Sequence, residues 1–252
     1  MGDGSHSTEA PGHGDPVPPT ARVIHGVVTA VTGVGLGTSL WIGWHNPTHL
    51  PSGTSFQGGL SAGWEHMLNQ PVHFTFFSAL MVFGTSLALT LRPHAGCGRR
   101  WGTAFQTLRL SGVVCMMLSG FLWNLLLREP ELLSGLKLLN DSLYHLVLPV
   151  LVPLVWLMAG PHGRITGTVV LLSPIPPALW FLATLLRGPG LDWYPYSILD
   201  VPQLGYPAVF GLAGGVLAAF LVMAWVIWKV DRMMDRYVGR LEIGPSEPRR
   251  PS

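Results

Sequence analysis

Along this chain, stretches of about twenty predominantly apolar residues alternate with short segments rich in Pro, Gly and charge. A bilayer core about 30 Å thick needs roughly that length of helix to cross it. The pattern predicts six membrane-spanning helices, at about residues 22–44, 71–91, 106–127, 140–159, 165–186 and 206–230. Residues 1–20, MGDGSHSTEAPGHGDPVPPT, carry no apolar core and are expected to form a disordered tail rather than a cleavable signal peptide. Residues 231–252 are expected to form a second tail. The fold class is therefore all-α: a polytopic integral membrane protein with six transmembrane helices.

Charge orients the bundle. Twelve of the fifteen Lys and Arg residues fall at the N-terminus, the 2-3 loop, the 4-5 loop or the C-terminus, while Arg128, Lys137 and Arg187 fall on the other side. Lys and Arg are retained in the cytoplasm, which places both termini there and leaves the 1-2, 3-4 and 5-6 loops outside. With only 11% charged residues and a mean hydropathy of +0.40, the net charge of +2 reads as a topology signal and not as nucleic-acid affinity. Lys229, Arg232, Arg236 and Arg240 recur at helical spacing, as expected of a segment resting on anionic headgroups. Two cysteines, Cys97 and Cys115, make neither a disulfide framework nor a CxxC site. Localisation in the cell membrane follows, with membrane lipids as partners and no cofactor required.

Within that topology, polar residues gather at the outer end. The fourth span opens with Asn140, Asp141, Ser142 and His145, and the second with His73, Thr75 and Ser78. The third ends on Asn124, and the 5-6 loop supplies Trp193, Tyr194, Tyr196 and Asp200. At 1.5 Å per residue, Thr75 and His145 lie about 6 and 8 Å into their spans, at one level. A lone Thr in a membrane helix most often bonds its own i−4 carbonyl, and a lone His most often reaches the interface. Convergence from four segments argues for more, because polar groups in a lipid-embedded bundle face its interior or a wet cavity. A hydroxyl beside a neutral imidazole suffices for acyl transfer, the ring acting as base. Asp141, Asp200, Asn124 and Asn140 are all available to orient it. No GxSxG elbow, HExxH or Walker loop occurs.

Four of these stretches, HFTFFSALMV, GFLWNLLLR, LYHLVLPVLVPLVWLM and LLRGPGLDWYPYSILDVPQLGY, resemble bacterial six-span membrane proteins related to the animal androgen-induced and androgen-dependent TFPI-regulating proteins. The likeness covers roughly residues 20–230. It implies an intramembrane threonine hydrolase of lipid esters, with the nucleophile at Thr75 and the base at His145. Three departures accompany it. Alignment on Pro149 would put Tyr144 where the animal family has its histidine. Ala79 and Val155 stand where bacterial relatives tend to carry Asn and Asp.

Two other classes of function fit parts of the pattern. His45, His49, His66, His73 and His145, with Glu65, lie near the same face and suggest a metal or haem site, although the proline in HNPTH argues against a helical ligand pair. A non-enzymatic lipid-binding or transport protein would use the prolines of the fifth span, Pro174, Pro176 and Pro177, as a hinge or cavity wall. Gly33 with Gly37 and Gly211 with Gly215 form GxxxG pairs, expected to pack within the bundle.

Overall fold

A computed structural model describes residues 16–50, 53–97, 99–127 and 133–242. Most of the expected N-terminal tail, the end of the C-terminal tail and Arg128 lie outside them. The described residues are all-α, and six helical units are long and apolar enough to cross a membrane. The first unit is α1 (Pro19–His45). A short α2 (Trp64–Leu68) precedes the second, α3 (Phe74–Leu91). The third is α4 (Arg99–Leu122), which continues into a π turn at Trp123–Leu127. The fourth is α5 (Gly135–Ser142), joined by a π turn at Leu143–Val147 to α6 (Leu148–Ala159). The fifth comprises α7 (Gly167–Leu172) and α8 (Ile175–Leu191), and the sixth is α9 (Val201–Glu242). The chain is an integral multi-pass membrane protein.

Four units make the core. α1 packs on α3 and α6, and α4 packs on α3 and α6. Val28, Val82, Val114, Met116 and Leu148 fill the space between them. The α7–α8 unit and α9 lean on α4 and close this core from one side with Val169, Phe220 and Ala224. They turn Leu171, Leu186, Phe210 and Val222 outward, where a bilayer would solvate them. The Gly211 and Gly215 pair does not pack within the bundle as expected, since a Cβ built at either meets nothing within 4 Å. α9 also begins before residue 206, with non-helical backbone at Gly205, and runs on past 230.

Proline shapes two of the units by the same rule. It has no N–H, so the carbonyl four residues earlier loses its helical partner. Pro149 leaves the His145 carbonyl free, and Asn124 of the neighbouring unit donates to it at 2.8 Å. The turn widens there, with the Leu148 N–H reaching back to Leu143. Pro177 likewise frees the Ser173 carbonyl, which accepts from the Ser111 hydroxyl at 2.7 Å. The fifth unit breaks at that point, between α7 and α8. Gly120 admits the Pro149 ring, because a Cβ there would stand 2.5 Å from two of its carbons.

One end of the bundle carries a cap woven from residues 46–50, 53–73 and 192–200. The Gly58 N–H donates to the Asp192 carbonyl, Trp193 Nε1 to the His49 carbonyl, and the Thr48 N–H to the Leu60 carbonyl. Beneath it, Trp193, Tyr194 and Phe56 form a second small apolar cluster with Leu185 and Val209. The opposite end carries the start of α1 and the end of α9.

Candidate functional site

α3 begins only at Phe74, because Pro71 precedes it within a 3-10 turn, Gln70–Val72, and His73 is extended. Thr75 therefore sits in the first turn, where no helical carbonyl lies four residues behind it. The consequence is visible by comparison. Thr29, Thr32, Thr38, Thr85, Thr90 and Thr184 all donate to their i−4 carbonyls. Thr75 instead shares a 2.6 Å hydrogen bond with the Ser119 hydroxyl of α4 and lies 3.4 Å from His145 Nε2.

His145 is held from three sides. Its Nδ1 lies 2.8 Å from Asp141 Oδ1, one turn earlier in the same unit. A carboxylate only accepts, so Nδ1 carries the hydrogen and Nε2 presents its lone pair toward Thr75. The Trp123 ring stacks on the imidazole at 4.2 Å and 13°. Asn124 fixes the backbone behind it. Tyr144, the alternative register, points elsewhere. Its buried ring packs against Gly35 of α1, so of the two residues it is His145 that reaches Thr75.

The remaining predicted residues divide. Tyr196 belongs to the site: its hydroxyl accepts from the Phe74 N–H at 3.0 Å and interacts with the Thr75 side chain. Burial pushes its phenol above the ordinary range. Asn140 lies on the other face of its unit and donates to the Gly35 carbonyl and the Thr38 and Ser39 hydroxyls of α1. Ser78 back-bonds to the Phe74 carbonyl at 2.7 Å. Tyr194 is buried in the cap cluster, with its phenol also raised by burial. Asp200 is a cap residue, accepting from the Ser55 N–H, the Ser55 hydroxyl and the Gln203 N–H. Ser119 and Trp123 are the site residues that sequence reasoning passed over. Their spacing of four places both on one face of the helix, which was the available signal.

Two cavities meet at Thr75. One, of about 340 Å³, is almost wholly apolar and runs between α4, α8 and α9, with Pro174 and Pro177 in its wall. The other, of about 310 Å³, lies under the cap and is lined by Asn140, Asp141, His145, His66 and His73 among others. Thr75, Trp123 and Tyr196 line both. A long apolar group and a polar one could thus reach the same hydroxyl from two directions.

The histidines do not assemble into a metal centre: among the described residues no three of His, Cys, Asp and Glu form a ligand set. His45 Nδ1 turns to the Trp41 carbonyl and His66 Nδ1 to that of Asn46. His73, just ahead of α3, packs between His66 and Trp193, with Nδ1 buried and without a protein hydrogen-bond partner. Burial first, and then neighbouring His66, lower it from the ordinary 6.5 to about 4. The unfolded chain therefore binds a proton that the folded cap refuses, and stability is lost as pH falls from 6.5 toward 4. Thermal unfolding between pH 8 and 5, followed by tryptophan fluorescence, should show this slope in the wild type and a shallower one in His73→Gln.

Integral multi-pass membrane protein is the class that the fold defines. Comparison with known protein families, with characterised proteins and with solved structures returns no match.

Proposed function

We propose that this protein is an intramembrane ester hydrolase in which Thr75 is the nucleophile, His145 the general base and Asp141 the group that orients the ring. The observation that carries the reading is the Thr75 hydroxyl itself, released from the usual back-bond and turned toward an imidazole whose far nitrogen faces a carboxylate. The 3.4 Å separation suits an unliganded site, where such contacts are commonly long and tighten with substrate. Thr75 Oγ1 attacks the ester carbonyl carbon while its proton passes to His145 Nε2. The imidazolium, held by Asp141, then protonates the departing alcohol. Water, deprotonated by the same nitrogen, releases the acid and restores Thr75. The Tyr196 hydroxyl, beside Thr75, is a donor available to the developing oxyanion.

Further support comes from the two cavities, which suit a lipid-like ester with its chain in the apolar one and its reacting carbonyl at the junction. The excess of Lys and Arg on the opposite loops and termini supports cytoplasmic termini and a site at the outer leaflet, near the depth of lipid ester groups. Resemblance to the androgen-induced and androgen-dependent TFPI-regulating proteins points to the same chemistry.

The test is covalent capture. Detergent-solubilised protein treated with a fluorophosphonate probe is expected to carry the label on Thr75, located by mass spectrometry, and to lose it in Thr75→Ala. Label on Ser119 would move the nucleophile to α4. Folded protein that takes no label would sink the hydrolase reading in favour of lipid binding without chemistry.

A further inference from the structure

A second polar site lies inside the bundle, away from Thr75 and toward the opposite end. His25 of α1 and Arg109 of α4 are only 3% and 5% exposed, although both belong to membrane-spanning units. They line one cavity of about 20 Å³. Its other walls include Val28, Val82, Thr85 and Ser86. A space of that size holds a single water molecule, which needs roughly 10–15 Å³.

Hydrogen-bond accounting decides what the space can hold. His25 Nε2 lies 3.3 Å from the Gly160 carbonyl, which only accepts, so Nε2 carries the hydrogen. Nδ1 of the neutral ring is then an acceptor, and it is buried without a protein partner. Arg109 Nη1 donates to the Pro161 carbonyl at 3.2 Å, and Nη2 is likewise buried without one. The Thr85 hydroxyl is turned to the Met81 carbonyl. One unmet acceptor and one unmet donor therefore belong to side chains that share the cavity wall.

We propose that this cavity binds one water molecule, which accepts from Arg109 Nη2 and donates to His25 Nδ1. A halide of similar size would satisfy Arg109 but repel the His25 lone pair. Protonating His25 to suit a halide would set a second cation beside the guanidinium. Arg164 adds a further cation in the same field and Asp231 the opposing charge. The water completes a clasp. His25 and Arg109 already hold the consecutive carbonyls of Gly160 and Pro161, so the bridge locks α1 and α4 onto the turn after α6. That turn is pinned from α9 as well, where Asp231 accepts from the Ile165 N–H at 3.1 Å.

A crystal structure of the whole protein, grown from a lipidic mesophase with bromide replacing chloride and measured at the bromine absorption edge, tests this directly. The expected result is a single density peak about 2.7–3.2 Å from both His25 Nδ1 and Arg109 Nη2, with no anomalous signal. An anomalous peak would make the site an anion site and overturn the proposal. A cavity free of density would overturn it too.

Discussion

His145→Phe is expected to lower the rate of fluorophosphonate capture at Thr75 by roughly 10²–10⁴-fold, the range that a positioned general base supplies. Phenylalanine keeps a ring against Trp123, so the fold should persist while the proton acceptor disappears. Asp141→Asn provides the sharper comparison. An amide oxygen can still accept from Nδ1–H, but its NH₂ can equally donate, which favours the tautomer with the hydrogen on Nε2. That hydrogen would face Thr75 and disable the base, so a loss approaching that of His145→Phe is expected. Capture rates measured against pH, with circular dichroism as the folding control, check both variants. An Asp141→Asn protein reacting at the wild-type rate would show that the carboxylate does no more than hold its own helix turn.

Much of this site was legible because membrane helices make polar residues conspicuous. Thr75, Asp141, His145 and Tyr196 stand out against long apolar runs, and topology alone brings their units to one end. What escaped has local physical causes. Ser119, in the middle of a span, resembles the many hydroxyls that merely bond their own helix. Its partnership with Thr75 depends on α3 starting at Phe74, after the Pro71 turn, instead of at Pro71. The roles of Asn140 and Asp141 were inseparable from sequence, because one residue of rotation sends the first toward α1 and the second along the face of His145. That rotation is set by the π turn at Leu143–Val147 and by Pro149, whose freed carbonyl Asn124 captures.

The charged residues likewise differ by what surrounds them. Arg109, counted with the positive charge of the 2-3 loop, is buried within α4 and holds the turn after α6. Lys229 and Arg232 of α9 lie over the rings of Trp225 and Trp228. Cations stacked on indoles where the apolar run of a span gives way to charge are an arrangement suited to the membrane interface.

Asp200→Ala should be the most damaging single change to stability, at about 3 kcal/mol or more. The carboxylate is fully buried, yet it is not the orienting group of a catalytic histidine that the sequence allowed it to be. It receives the Ser55 N–H at 2.7 Å, the Ser55 hydroxyl at 2.8 Å and the Gln203 N–H at 3.1 Å. One side chain thus ties the 1-2 connection to the first turn of α9, and alanine would remove the buried acceptor that all three of these part-buried bonds share. Asp200→Asn retains the shape and one acceptor oxygen, so a smaller loss is expected. Thermal unfolding in detergent should rank the wild type above Asn and Asn above Ala. Because the same loop carries Tyr196 to the Phe74 N–H, the alanine variant should also slow labelling of Thr75 at temperatures below its unfolding. Normal labelling in a markedly destabilised Asp200→Ala protein would separate the cap from the chemistry and remove Tyr196 from the set of oxyanion donors.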